Sequence, residues 1–323
     1  MNLYCTIFDL NYLSRALALH ASLVSASSRA CLAFVCIDDR AADLLSELNL
    51  ERAIVVRHDD FATDALVRTR QVRSRGEYCW SSKPVAMLYL MARFSDSDWV
   101  IYVDTDMMFF SDPDSVLPGN AAHYLLTPHR FHKAYICYAK DAGLHNAGYV
   151  AARNSVEGRQ VIQWWQDRCL ENCSSIPTAT TYADQKYLDK VLSLFPCGES
   201  SSHIGLNAAP WNIGNYRLSM VGSRLLLDNQ PLILYHFQGL QTFDDGTASL
   251  YIGNERLARP LKQFIYAPYM ERLAEGYRTV RTIDSSFNDG LLRKPPLAGS
   301  YPSRMLAFLR RRKNLVGFPV SVR

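Results

Sequence analysis

Short apolar runs, LYCTIF, CLAFVCI, AIVVRH and WVIYVDTD, alternate with segments of helical periodicity along the N-terminal part of this chain. Runs without polar alternation are what strands buried on both faces require, because a polar side chain on either face would be pressed against a covering helix. Leu13, Ala16, Leu17, Ala21 and Val24 recur at helical spacing in YLSRALALHASLVSAS, after a polar turn at Asp9-Leu10-Asn11. AADLLSELNL and SSKPVAMLYLMARF continue the helical pattern, the latter with Pro84 near its first turn. Strand and helix in alternation predict an α/β fold with a mainly parallel sheet flanked by helices.

Further on, HYLLT and GYVAARN read as strands, VEGRQVIQWWQDRCLE as a long amphipathic helix, and ADQKYLDKVLSLF as helical with Ala183 and Asp184 near its start. PLILYHF is a strand that ends at a histidine. From about Gln241 the pattern weakens into a helical region, LARPLKQFIYAPYMERLAEGYRTV, the loop KPPLAGSYPS and the segment SRMLAFLRRRKN. The expected organisation is a main domain over 1–240 and a mostly helical extension with a basic tail over 241–323. No internal repeat is visible.

With 323 residues, 48% of them hydrophobic, the chain can bury a large core. Its 35 Lys and Arg against 31 Asp and Glu leave a net charge of only +4, too slight to predict nucleic-acid binding by the whole domain. The eight cysteines are scattered through apolar segments, and MNLYCTIFDL enters a strand directly, so a cytoplasmic protein with reduced thiols is expected. Cys169 and Cys173 share one helical face, but no second Cys or His pair stands at zinc-site spacing. They read as semi-buried thiols. No apolar run reaches the ~18 residues of a membrane span.

VIYVDTDMMFF, Val100 to Phe110, places Asp104 and Asp106 straight after the most apolar of the strands. Residues i and i+2 of a strand share a side, so the two carboxylates can converge on one object at the strand's carboxyl end, where open parallel sheets bind ligands. Like charges this close repel unless a divalent cation separates them, and a ligand diphosphate would complete its oxygen shell. The plainer alternative is that one or both acids cap the following turn, where SDPD adds Asp112 and Asp114.

The segments EYCWSSKP, VIYVDTDMMFFSDP, LLTPHRF, HNAGYVAARN, WWQDRCLE, YADQKYLD, LNAAPWNI and LYHFQGL follow one another in order. In them the chain resembles the metal-dependent glycosyltransferases with a GT-A (Rossmann-like) nucleotide-binding sheet, in particular the glycogenin and lipopolysaccharide-galactosyltransferase relatives of family 8. It resembles more closely a bacterial set of nucleotide-diphospho-sugar transferases found with surface-polysaccharide genes. The resemblance implies that Asp104, Asp106 and His236 bind Mn2+ or Mg2+, and that the donor is a nucleotide-sugar, a UDP-sugar above all. It implies stacking of Tyr12 on the base, contact of Asp9 with base or ribose, and charge balance by Lys83. Asn146, Asp184 and Gln185 fall where the family holds the donor sugar, Asp184 and Gln185 with catalytic roles. Trp211 and Asn212 are expected on the acceptor side, with His129 and Arg130 as weaker candidates.

Taken singly, each residue has a plainer reading: His236 as a partly buried ring, Tyr12 as packing, Lys83 as a solvated helix end, and Asp184 as a carboxylate favoured by the helix dipole. One departure stands out. Family-8 enzymes follow the metal histidine with a glycine and then a lysine over the diphosphate, whereas here FQGLQTFDDG follows His236, with Gly239 but with Gln241 or Thr242 where a cation is expected. Arg73 and Arg75 of VRTRQVRSRG are substitutes, or else lie on a solvated loop.

The implied activity is hexosyl transfer, retaining by the family-8 likeness, to a glycan or lipid-linked saccharide acceptor in bacterial surface-polysaccharide synthesis. In the tail, Met305, Leu306, Phe308 and Leu309 stand beside Arg310, Arg311, Arg312 and Lys313, which suits either peripheral contact with anionic lipid at the inner face of the membrane or a helix docked on its own domain. Rival readings are a haloacid-dehalogenase-type phosphatase, whose D-x-D lies near the N-terminus and is usually followed by Thr or Val where Met108 stands here, and a catalytically silent carbohydrate-binding or scaffold protein.

Overall fold

A computed structural model describes residues 1–119, 121–251, 257–293 and 314–320. Its centre is a seven-stranded sheet of order β3-β2-β1-β4-β7-β6-β8. The strands are β1 (Asn2–Phe8), β2 (Cys31–Cys36), β3 (Ala53–Val56), β4 (Trp99–Val103), β6 (Tyr124–Pro128), β7 (His145–Arg153) and β8 (Glu199–Ser200), while β5 (Met107–Phe109) leaves the sheet. β1 to β4 run parallel, β7 runs antiparallel to both β4 and β6, and β6 pairs parallel with β8. The sheet is mixed and mainly parallel, as the alternation of strands and helices predicts.

Both faces are covered, which explains the unbroken apolar strands. Tyr4 and Phe8 of β1 and Ile101 and Val103 of β4 join one core with α1 (Leu13–Ala26), α2 (Asp39–Leu48) and the helix Ala267–Arg281. Leu3, Cys5, Ile7, Val100 and Tyr102 face the other core, built with the helices Arg75–Arg93 and Val156–Glu171. Each fully buried large apolar side chain contributes about 1.5–3 kcal/mol by leaving water.

The segment after residue 240, read from sequence as an extension, shares its core with the sheet: Tyr269, Leu273 and Tyr277 pack with Leu13, Ala16 and Leu17. Gly276 permits this approach, since a Cβ there would stand 2.8 Å from the Ser14 carbonyl oxygen. KPPLAGSYPS and the basic stretch through Lys313 lie outside the described residues. Among the described residues no helix is long and apolar enough to cross a membrane.

Pro84 falls in the middle of the helix Arg75–Arg93 and not near its first turn. The start is set upstream by a capping box: the Glu77 amide donates to Ser74 Oγ, and the Ser74 amide donates to Glu77 Oε2 at 2.9 Å. The basic stretch before it is therefore partly helical, with Asp64–Thr69 forming a short helix of its own. All eight cysteines are free, and Cys169 and Cys173 are buried.

Candidate functional site

The chain leaves β1 towards β2 on one side of the sheet, while β4 lies on the other, so a crevice opens at the carboxyl ends of β1 and β4. A cleft of about 770 Å³ occupies this position. Asp9, Tyr12, Lys83, Asp104, Asp106, Asn146, Asp184, Gln185, Trp211 and His236 all line it. Asn212 does not. Its amide is buried behind the wall, donating to the His129 and Asn207 carbonyls at 3.0 and 3.2 Å and accepting from the Ala209 amide, so it holds the loop that presents Trp211.

Asp104, Thr105 and Asp106 are the link between β4 and β5, just past the strand on which the sequence places them. Thr105 pins the link: its Oγ1 is 2.8 Å from Thr6 Oγ1 and donates to the Ile7 carbonyl at 3.0 Å. β5 then pairs antiparallel with the strand Leu234–His236, in a register that sets His236 opposite Met107. The Phe237 amide donates to the Asp106 carbonyl, locking that register. His236 Nε2 thus reaches within 3.1 Å of Asp106 Oδ1.

One ligand atom from each of Asp104, Asp106 and His236 lies within 4.8 Å of the others. Two carboxylates and an imidazole form a donor set suited to Mn2+ or Mg2+, the imidazole favouring Mn2+. The carboxylate of Asp104 is oriented by the Tyr102 hydroxyl and Lys83 Nζ, at 2.8 and 2.9 Å from Oδ1. Gly148 leaves room for it, because a Cβ there would meet Asp104 Oδ2 at 2.9 Å. Burial pushes the Asp106 carboxyl up, but His236 and Arg15 outweigh it and hold the group below its ordinary value. Burial conversely lowers His236, and Asp106 raises it to a net value above the ordinary one. The residues fit a divalent cation.

Lys83 also pairs with Asp184, at 3.0 Å. Burial would lower the Lys83 ammonium, but the two carboxylates raise it overall. The Asp184 carboxyl is raised by burial despite the lysine. Asn146 is held on all sides: Oδ1 accepts from the Gly148 amide and from Asn207 Nδ2, both at 2.9 Å, and Nδ2 donates to Gln185 Oε1 at 3.3 Å. Gln185 Nε2 is itself fixed on the Ala142 carbonyl at 2.9 Å.

Tyr12, also in the lining, is 42% exposed, with the Arg15 guanidinium over its ring at 4.7 Å from the centroid. Asp9 accepts from the Asn11 amide and pairs with Arg75, which also donates to Asp38 at 2.7 Å. Arg75 is therefore a lining residue of the cleft, whereas Arg73 is spent on Ser81 and the Leu170 carbonyl. Arg130 reaches the Ser201 carbonyl, and His129 lines the cleft.

Several contributors escape a reading of the sequence. Tyr102 and Asn207 act through contacts made only in the folded chain, and Arg15 carries a buried cation beside Asp106 from within an apolar helical pattern. Tyr135, Tyr138 and Tyr251 line the cleft from outside the segments that carry the resemblance, and Phe131 and Tyr182 lie within LLTPHRF and YADQKYLD, beside residues that draw the attention first.

No protein-family model matches the chain. The fold is that of GT-A glycosyltransferase structures: a crystal structure of the galactosyltransferase LgtC in complex with donor and acceptor sugar analogues aligns over 85% of this chain and 96% of that one, with a TM-score of 0.52 and 14% identity. The uncharacterized protein YfnF of Bacillus subtilis (strain 168) is 27% identical over 293 residues, 88% of this chain and 96% of YfnF. The uncharacterized protein YfnD of the same organism is 30% identical over 263 residues, 80% of this chain and 85% of YfnD. By that extent of likeness, the chain belongs to the family of YfnD.

Proposed function

We propose that the protein is a metal-dependent glycosyltransferase that moves a hexose from a nucleotide-diphospho-sugar, in the first instance a UDP-sugar, to a saccharide acceptor in bacterial surface-glycan synthesis. The observation that carries this reading is the meeting of Asp104, Asp106 and His236 at the carboxyl ends of β1 and β4, in one cleft with a partly exposed tyrosine and with the polar side chains of Asn146, Asp184 and Gln185. The GT-A fold favours it over a phosphatase.

Tyr12 offers a ring face to a base, and Asp9 with Arg75 offers an acceptor and a donor beside it. Asp104, Asp106 and His236 would hold the cation, which when bound supplies Lewis-acid stabilisation of the charge that develops on a departing diphosphate. Lys83 adds a positive charge beside Asp104. In a retaining transfer, the bond from the anomeric carbon to the phosphate oxygen breaks, a bond to the acceptor oxygen forms, and the acceptor's proton passes to the phosphate oxygen. Asp184 and Gln185 then act on the oxocarbenium-like carbon, Asp184 as an anion held by Lys83.

The test is incubation with UDP-, GDP- and CMP-sugars and Mn2+, followed by assay of the released nucleotide. Release of UDP that is lost on chelation and in Asp106→Ala supports the reading. Release indifferent to both, or phosphate release from sugar phosphates, refutes it.

A further inference from the structure

One wall of the cleft is built almost wholly of rings. Trp211 stands next to the proposed metal site, its centroid 5.1 Å from that of His236 at 77°. Its Nε1 donates to the His129 carbonyl at 3.1 Å, which fixes the indole before any ligand arrives. His129 meets Trp211 edge-on at 5.8 Å and lies flat on Phe131 at 4.6 Å. The Tyr251 hydroxyl donates to the Tyr135 hydroxyl at 3.0 Å, and the Tyr135 ring lies 6.4 Å from Tyr138, which is 57% exposed. Both groups of rings line the one cleft, Trp211 beside the proposed metal site and Tyr138 exposed.

Among the described residues the lining of this wall is also uncharged. The cleft-lining residues from 129–142 are His129, Phe131, Tyr135, Tyr138 and Ala142, joined by Trp211 and Tyr251. Burial pushes His129 down to about 4, so its imidazole is neutral at pH 7. The acids and cations of the cleft, Asp9, Arg75, Lys83, Asp104, Asp106 and Asp184, all come from other segments.

We propose that this wall is the acceptor subsite and that the acceptor is an uncharged oligosaccharide, with its terminal sugar at Trp211 and its next ring against Tyr135 and Tyr138. The proposal rests on the transferase reading and names its acceptor class. The C–H face of a pyranose packs on an aromatic ring, and phenol hydroxyls at the ring edges suit sugar hydroxyls. An alkyl chain would strip those hydroxyls of water without replacing their hydrogen bonds. A phosphate or uronate would meet no cation among the described residues that line this wall.

Binding to the full chain with UDP and Mn2+ present tests this, using methyl glucoside and methyl galactoside against maltose, cellobiose and lactose, with glucuronate and glucose 6-phosphate as anionic probes. At least one disaccharide is expected to bind about threefold to tenfold more tightly than its monosaccharide. Tyr138→Ala, a change at an exposed position, should erase that gain. The proposal is overturned if no neutral saccharide binds, if chain length makes no difference, if the anionic sugars bind more tightly, or if Tyr138→Ala keeps the gain. UDP affinity in the same samples separates these failures from failure of the transferase reading, which would also abolish metal-dependent UDP binding.

Discussion

Lys83 Nζ sits 3.0 Å from Asp184 Oδ2, with both side chains shut off from water at 5% and 4% exposure. A buried pair of this kind gains little over an apolar pair, but removing one member strands the other charge. Lys83→Met is therefore expected to lower the unfolding free energy by about 3–5 kcal/mol. Adding Asp184→Asn to it should recover part of that loss, because the more deeply buried of the two carboxylates left without the lysine is then neutral. Urea denaturation of the single and double variants measures both effects.

Gly148 is the position where a single methyl group should separate ligand binding from folding. A Cβ there would meet Asn146 Oδ1 and Met107 Cε at 2.6 Å and Asp104 Oδ2 at 2.9 Å, so these side chains must shift to admit it. Gly148→Ala should cost about 1–3 kcal/mol of stability as overpacking. Because it displaces Asp104 and Asn146 together, the rate of UDP release should fall by about a hundredfold. A variant that melts a few degrees lower yet keeps full activity would contradict this placement of the two residues.

His129 sets a pH dependence. Its imidazole is held at about 4 by burial against about 6.5 in an unfolded chain, so between these values the unfolded state binds the extra proton. Its contribution is complete above pH 6.5 and is lost as pH falls towards 4. Between pH 7.5 and 4.5 the native protein should lose about 2–3 kcal/mol more stability than His129→Gln, measured by denaturation at each pH.

Much of the frame is legible in the sequence because its periodicities are local. β1 to β4 announce themselves as apolar runs, and Asp104 and Asp106 stand where one of those runs stops. The meeting of Asp106 with His236 depends instead on a long-range pairing of β5 with Leu234–His236, which the resemblance implies but no spacing reveals. Pro84 misleads because the capping box at Ser74 and Glu77 is the stronger start signal. Asn212 sits beside Trp211 in sequence, yet one faces the cleft and the other the loop behind it. Tyr251 joins the cleft from beyond residue 240, where the pattern fades, because the later helix packs on α1 and carries its neighbours into the same core.

The most direct measurement is a titration of the metal-free protein with Mn2+, followed by electron paramagnetic resonance, with and without UDP, in the native chain and in His236→Ala. Binding at the Asp104, Asp106 and His236 cluster predicts one strong site, tightened by UDP and reciprocally tightening UDP, and weakened at least tenfold in the variant. Equal Mn2+ affinity in the two proteins, or UDP binding that ignores the ion, would contradict the account.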